Sequence, residues 1–148
     1  MTDSYIETVL IDAFLTLNEF SGVSYIKKDG NGNPLNVALP NKPFKEPDDR
    51  RFFVLSFLPN EPEPAGLGEH AENRWDGVFQ IDTFTPLGVG QEESNNKYQQ
   101  IVNLFQRGKT FNEIMIKRTY RAMRGAEPAS GFYRTVIRCE FTCCLPKD

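Results

Sequence analysis

The residues of this chain that could do chemistry are few and scattered. The single histidine, His70, sits in the run Gly68-Glu69-His70-Ala71-Glu72. A carboxylate beside an imidazole is raw material for acid–base catalysis or a metal site, because imidazole titrates near neutral pH and binds divalent metals. The spacing is not H-E-x-x-H and no second histidine completes a ligand set, so His70 reads as a solvated loop residue. Asp48 and Asp49 stand together before Arg50 and Arg51. Adjacent carboxylates hold a cation only if further oxygens converge, and this group reads as a surface charge cluster. Gly88-Val89-Gly90 precedes a helical pattern, as a phosphate cradle would. It lacks the third glycine of G-x-G-x-x-G and the Gly-Lys-Ser/Thr of a P-loop. Ser56 and Ser130 have no partner pattern for nucleophilic catalysis. The expectation is therefore no catalytic residue, no cofactor, no metal and no enzyme.

The three cysteines close the chemical inventory. On a strand carrying Ile137, Cys139, Phe141 and Cys143 on one face, Cys139 and Cys143 stand about 13 Å apart at roughly 3.3 Å per residue. A disulfide needs Cα atoms within about 7 Å. Cys144 points to the other face. Two buried thiols and one more exposed thiol, in a reducing cytoplasm, are expected.

Composition bounds the rest. The chain has 148 residues, which suits one domain, residues 1–148, with a real core. The formal net charge of -3 is opposite to that of proteins that grip nucleic acid by its phosphates. No apolar run approaches the roughly 18–20 residues that span a bilayer, and residues 1–7 lack the basic and apolar regions of a secretory signal. Phe occurs 12 times. So many rings exceed what a small core holds beside its aliphatic residues, so some are expected at contacts between subunits, where aromatics are enriched.

The elements that must position these residues can be read in order. Ser4 and Glu7 form an S-x-x-E capping box. Ile6, Val9, Leu10, Ala13, Phe14, Leu17 and Phe20 then repeat with helical period, and Gly22 stops the helix. Val23 to Lys27 reads as a short strand ending in a turn over Lys28 to Pro34. Leu35 to Asp49 reads as an extended, proline-bearing arm in which Phe44 is an isolated aromatic anchor. Arg51 to Leu58 reads as a strand buried on both faces. Asn60 to Asn73, rich in Pro, Gly and acid, reads as a long mobile loop. A strand over 78–84 follows, then a turn, then a helix with Tyr98, Ile101, Val102 and Phe105 on one face. Strands over 114–123 and 132–144 close the chain around a turn at Arg124 to Gly131. The second of these carries Thr135, Ile137, Cys139, Phe141 and Cys143 inward, with Arg138, Glu140 and Thr142 outward. The predicted fold is α+β, a mostly antiparallel sheet with two helices packed on one face.

Lys117, Arg118, Arg121 and Arg124, with Arg134 and Arg138, can gather on the last hairpin. The default is a solvated face. The competing reading is a contact with an acidic neighbouring surface, since Arg suits desolvated ion pairs.

The stretch Gly77 to Gly90 resembles the tail terminator proteins of long-tailed bacteriophages, of the lambda-type minor tail protein U kind. That class carries a motif like G-x-x-Q-I-D-V-x-x-P-x-G-x-G before an amphipathic helix. Here it stands as Gly77, Gln80, Ile81, Asp82, Thr83, Pro86, Gly88 and Gly90. A helix ending at Leu104, Phe105 and Gly108 and a closing strand with Arg138-x-Glu140 are similar too. Asn60 to Asn73 and Cys143 to Asp148 have no counterpart. The resemblance implies a structural virion protein at the head-proximal end of the tail, assembled in the host cytoplasm. It implies a homo-hexameric ring that caps the tail tube, ends its polymerisation and offers the head-docking surface. The implied partners are other copies of the chain, the tail tube protein and a head–tail connector or neck protein. No membrane and no sequence-specific nucleic acid are implied. Phe44, Arg50, Leu67, Trp75, Arg121, Arg124 and Arg134 are the candidate contact residues.

Three alternatives stay open. One is another phage neck or tail ring, either a head-completion or a tail tube protein. Another is a small-ligand binding module, which needs a concave polar pocket. The last is a nucleic-acid binding module, to which Arg51-Phe52-Phe53 is a weak match as a stacking platform.

Overall fold

The computed structural model describes residues 2–68, 72–127 and 129–146. Helix α1 spans Thr2–Phe14 and buries Ile6, Leu10 and Phe14, one residue per turn, with Leu17 continuing the line just beyond it. The capping-box expectation fails, because the helix already runs at Thr2 and Ser4 lies inside it. The helix also stops short of Phe20. The Thr16 hydroxyl and amide both donate to the Ala13 carbonyl, at 2.6 and 3.2 Å, displacing the Leu17 amide that a continuing helix would place there. Phe20 is left 62% exposed.

Val23 to Lys27 is not a strand. Only isolated bridges form, Asn18 with Ser24 and Lys28 with Pro34, and the Ser24 hydroxyl accepts from the Ile26 amide at 3.1 Å as a local turn. The turn over 28–34 forms as expected, with the Asp29 carboxylate accepting from the amides of Asn31 and Asn33.

The arm contributes one short strand, β1 (Val37–Ala38), parallel to β2 (Phe52–Pro59). The stretch expected as one long loop contains β3 (Glu63–Pro64), which pairs with the start of β4 (Glu72–Pro86). Glu63 lies opposite Arg74 in that ladder and forms an ion pair with it, a cross-strand contact that loop composition does not reveal. Helix α2 (Glu92–Leu104), β5 (Thr110–Phe111), β6 (Ile114–Glu127) and β7 (Phe132–Pro146) follow. Strand β6 reaches four residues past Met123 into the expected turn and carries two irregularities of register.

The fold is α+β, with a curled sheet in the order β1-β2-β4-β7-β6-β5 and β3 attached to β4. Every pairing except β1 with β2 is antiparallel. Alternation sends Phe79 and Ile81 of β4 to one face, opposite Cys139 and Ile137 of β7. They join Ile6, Leu10 and Phe14 of α1, Ile101 of α2, and Phe105 in one buried cluster. The inward set expected for β7, Thr135, Ile137, Cys139, Phe141 and Cys143, is buried throughout. Gly77 is required within this packing. A Cβ there would lie 2.8 Å from the Phe141 ring and 2.9 Å from the Leu58 carbonyl and the Pro59 Cα.

Candidate functional site

The opposite face of the sheet has its own aromatic cluster. Phe52 stacks on Phe84 at 4.8 Å between ring centroids, and Phe132 meets both edge-on at 5.4 and 5.6 Å. The arm closes over this cluster, with Phe44 packed on Phe52 at 5.3 Å. The premise that the chain cannot itself hold so many rings is thus not met. Of the twelve Phe residues only Phe20 is exposed, because both faces of the sheet take rings at this end.

Charged groups clasp the same cluster. The Arg50 guanidinium lies 4.4 Å over the Phe132 ring and donates to the Ser130 carbonyl at 3.0 Å. It thereby ties the arm to the β6–β7 turn. Arg134 donates through Nε and Nη2 to Asp82, at 3.0 Å for Nε, and reaches Glu127 at 3.4 Å. Asp82 is buried and its charge is matched by this guanidinium, which its hydrogen bond pushes further above its usual value. Gln80 donates to Asp82 at 2.9 Å and accepts from Arg138 Nε at 3.1 Å. So Gly77, Gln80 and Asp82, which carried the resemblance, are a packing glycine and two members of a structural network. Gly88, at φ +89, is in the left-handed region that the turn into α2 requires.

The candidate contact residues separate into four groups. Phe44, Arg50 and Arg134 converge on the aromatic cluster and are engaged within the chain. Trp75 is buried in the main core, 9% exposed. Arg121 lies over the Tyr98 ring at 4.2 Å and donates to Asn95 at 3.2 Å, fastening β6 to α2. Arg124 is exposed and makes no ion pair among the described residues. Leu67, at the turn between β3 and β4, is 101% exposed.

Two features were not anticipated. Lys97 of α2 is buried, with its ammonium 3.6 Å from Glu93 and 5.3 Å from the Phe53 ring centroid. Burial pushes its pKa down, and Glu93 opposes that shift. Glu93 also holds Arg51 at 2.7 Å, so one carboxylate serves two cations. The i,i+4 spacing of Glu93 and Lys97 was the available signal. The second feature is a groove of about 660 Å³ beneath the arm, lined by Val37, Leu39, Phe44 and Pro47, with Lys42 and Lys45 at its rim.

Among the described residues no group of three or more His, Cys, Asp or Glu is arranged to hold a metal, and His70 lies outside the described residues. Burial pushes the Cys139 thiol up to about 12 and Cys143 to about 11, the opposite of an activated nucleophile, and Cys144 is exposed. Among the described residues no helix is long and apolar enough to cross a membrane.

Comparison with known proteins follows the same line. No curated protein matches the chain. One solved structure is 16% identical with a TM-score of 0.62, covering 96% of this chain and 98% of its own, which is a likeness of fold. A family model described as phage tail terminator protein matches residues 21–139, well over half of the chain. The chain therefore belongs to the phage tail terminator protein family, a structural, non-enzymatic family of the bacteriophage tail.

Proposed function

We propose that this protein assembles as a homo-hexameric ring at the head-proximal end of the tail, caps the tail tube, ends its polymerisation and offers the surface to which the head docks. The family match over residues 21–139 carries the reading. Its partners on this reading are further copies of itself, the tail tube protein and a head–tail connector or neck protein. Buried side chains of both helices share a cluster with Phe79 and Ile81, which supports a reading in which the helices cover that face of the sheet. That arrangement leaves the sheet edges, the arm and the β3–β4 hairpin for contacts between molecules. Exposed Leu67 and Arg124 are the candidate residues best placed to make them. Phe44, Arg50, Arg121 and Arg134 support those surfaces from within the chain.

Electron microscopy of tails from a phage lacking this protein tests the reading. The expected result is tails of uncontrolled length that do not join heads. Tails of normal length that join heads normally would end it.

A further inference from the structure

Charge is not spread evenly along this chain. From Arg107 to Glu140 there are eight Lys or Arg and three Asp or Glu, whereas the rest of the chain has nine against seventeen. The basic stretch folds as β5, β6 and much of β7, at one lateral end of the sheet. Its acids are engaged. Glu127 and Glu140 pair with Arg134 and Arg118, and Glu113 accepts from the Tyr5 hydroxyl at 2.7 Å. Arg121 meets only the neutral Asn95 and Tyr98. Lys117 and Arg124 are exposed and make no ion pair among the described residues.

The outer edge of β6 is also open. Strand β5 pairs with Ile114 and Met115, and the loop before it bonds to Ile116. Beyond Ile116 no strand pairs with this edge among the described residues. Two register shifts and the row of cations oppose strand-to-strand pairing there. The edge therefore offers side chains rather than a ladder.

A second groove, of about 360 Å³, has the complementary character. Glu19, Tyr25, Val89, Glu92, Glu93 and Asn96 line it, with no cation among them. Glu93 is held by Arg51 and Lys97, while Glu19 and Glu92 make no ion pair among the described residues. Phe20, Val23 and Val89 are exposed beside it, and the Glu19 amide donates to the Val23 carbonyl across the tight turn that carries the first two. Several exposed apolar side chains around a groove mark a contact surface more than a solvated one. A guanidinium suits the groove, because it can pair with carboxylates through two N–H bonds and stack on a ring.

Strand and groove do not meet within one chain. Glu93 reaches Arg51 at the head of β2, whereas Asn95 and Tyr98 meet Arg121 of β6, so α2 stands between them. A contact between two different surfaces of identical chains is heterologous, the kind that closes into a ring.

We propose that the β6 edge of one copy docks on this groove of the next copy, with Arg124 between Glu19 and Glu92 beside Tyr25, and Lys117 adding to the attraction. This rests on the ring reading above and names the contact that builds the ring.

The test uses full-length chains with charges reversed. One carries Glu19→Lys and Glu92→Lys, the other Lys117→Glu and Arg124→Glu. Glu19 is half-buried and the other three positions are exposed, so the folds are expected to hold. Circular dichroism checks this, and Glu92→Lys alone replaces the first variant if it misfolds. Sedimentation velocity is run on each protein, free, with purified tail tubes and with a DNA duplex, at low and high salt. Each variant alone is expected to lose self-association through like-charge repulsion. An equimolar mixture is expected to regain it, because each reversed groove meets a reversed edge and each native edge a native groove. Assembly of the unmodified chain is expected to weaken as salt rises. If either variant assembles alone like the unmodified chain, or the mixture fails to assemble, the contact is overturned and the ring reading stands. Unchanged assembly with lost DNA binding would assign the β6 edge to nucleic acid instead. If the unmodified chain stays monomeric both free and on tubes, the ring reading falls and this contact with it.

Discussion

The two faces of the sheet are built by different physics. The face that joins the helices is apolar, and Phe79, Ile81, Ile137 and Cys139 on it are fully buried. Its stability comes from area removed from water and from close packing. The other face mixes rings with ions. Phe52, Phe84 and Phe132 pack there beside Arg50, Arg134, Asp82 and Glu127. Buried ion pairs add little net stability, because desolvation offsets attraction. What they add is geometric specificity: Asp82 accepts one guanidinium in one orientation, and Arg50 fixes the arm over the sheet. The first face makes the molecule fold. The second decides where the arm lies, and the groove beneath the arm follows from that.

Variants can separate the two contributions. The largest effect belongs to the first face. Phe79→Ala removes a buried ring that touches Phe105 and should cost about 3–5 kcal/mol in urea denaturation. A loss under about 1 kcal/mol would mean the helix-side core is not the main source of stability.

Asp82→Ala comes next. It strips a half-buried Arg134 of its main partner while Glu127 remains, so the cost should be about 2 kcal/mol after allowing for solvent screening. The double change Asp82→Leu with Arg134→Leu should return to within about 1 kcal/mol of the unmodified chain. If the double variant is as unstable as the single one, the pair contributes more than orientation.

Alkaline titration probes the first face through its thiols. Cys139 is raised to about 12 in the folded chain from 9.0, so above pH 9 the unfolded chain releases a proton that the folded chain keeps. This contribution is constant below pH 9 and falls as pH rises toward 12, by about 1 kcal/mol per pH unit, and Cys143, raised from 9.0 to about 11, adds a fall of the same sign up to pH 11. Lys97, lowered by burial, acts in the opposite sense just below its unfolded value of 10.5. Cys139→Ala should flatten the fall, measured by urea midpoints between pH 8 and 11. An unchanged slope would show that Cys139 does not set it.

The smallest effect belongs to the clasp. Arg50→Ala removes one cation–π contact and one hydrogen bond, both near the surface, for about 0.5–1 kcal/mol. Its distinguishing readout is local, namely faster amide exchange in the arm without a matching change in β7. Uniform acceleration across the chain would assign Arg50 to global stability instead.

Much of this architecture was legible in the residues. Alternation along β7 placed five inward positions correctly because strand side chains obey a period of two whatever the neighbours do. The spacing of Ile6, Leu10 and Phe14, and of Ile101 and Phe105, marked two helices for the same local reason. The motif from Gly77 to Gly90 pointed to the family. The end of α1 was not legible, because one hydroxyl at Thr16 competes for a carbonyl and no periodicity records that. The groove was missed because its wall is assembled by the fold from an arm that has no pattern of its own.

The sequence by itself determined the short-range order, the helical and strand periods, the turn at Gly88, the free thiols and the family. Only the tertiary structure decided that Asp82 meets Arg134, that Phe44 closes over Phe52, that Trp75 and Lys97 are buried, and that Leu67 is left outside. Each of these depends on the register of one strand against another or on the docking of an arm. Such contacts join residues far apart in the chain, and local propensity carries no information about which distant partner a side chain will find.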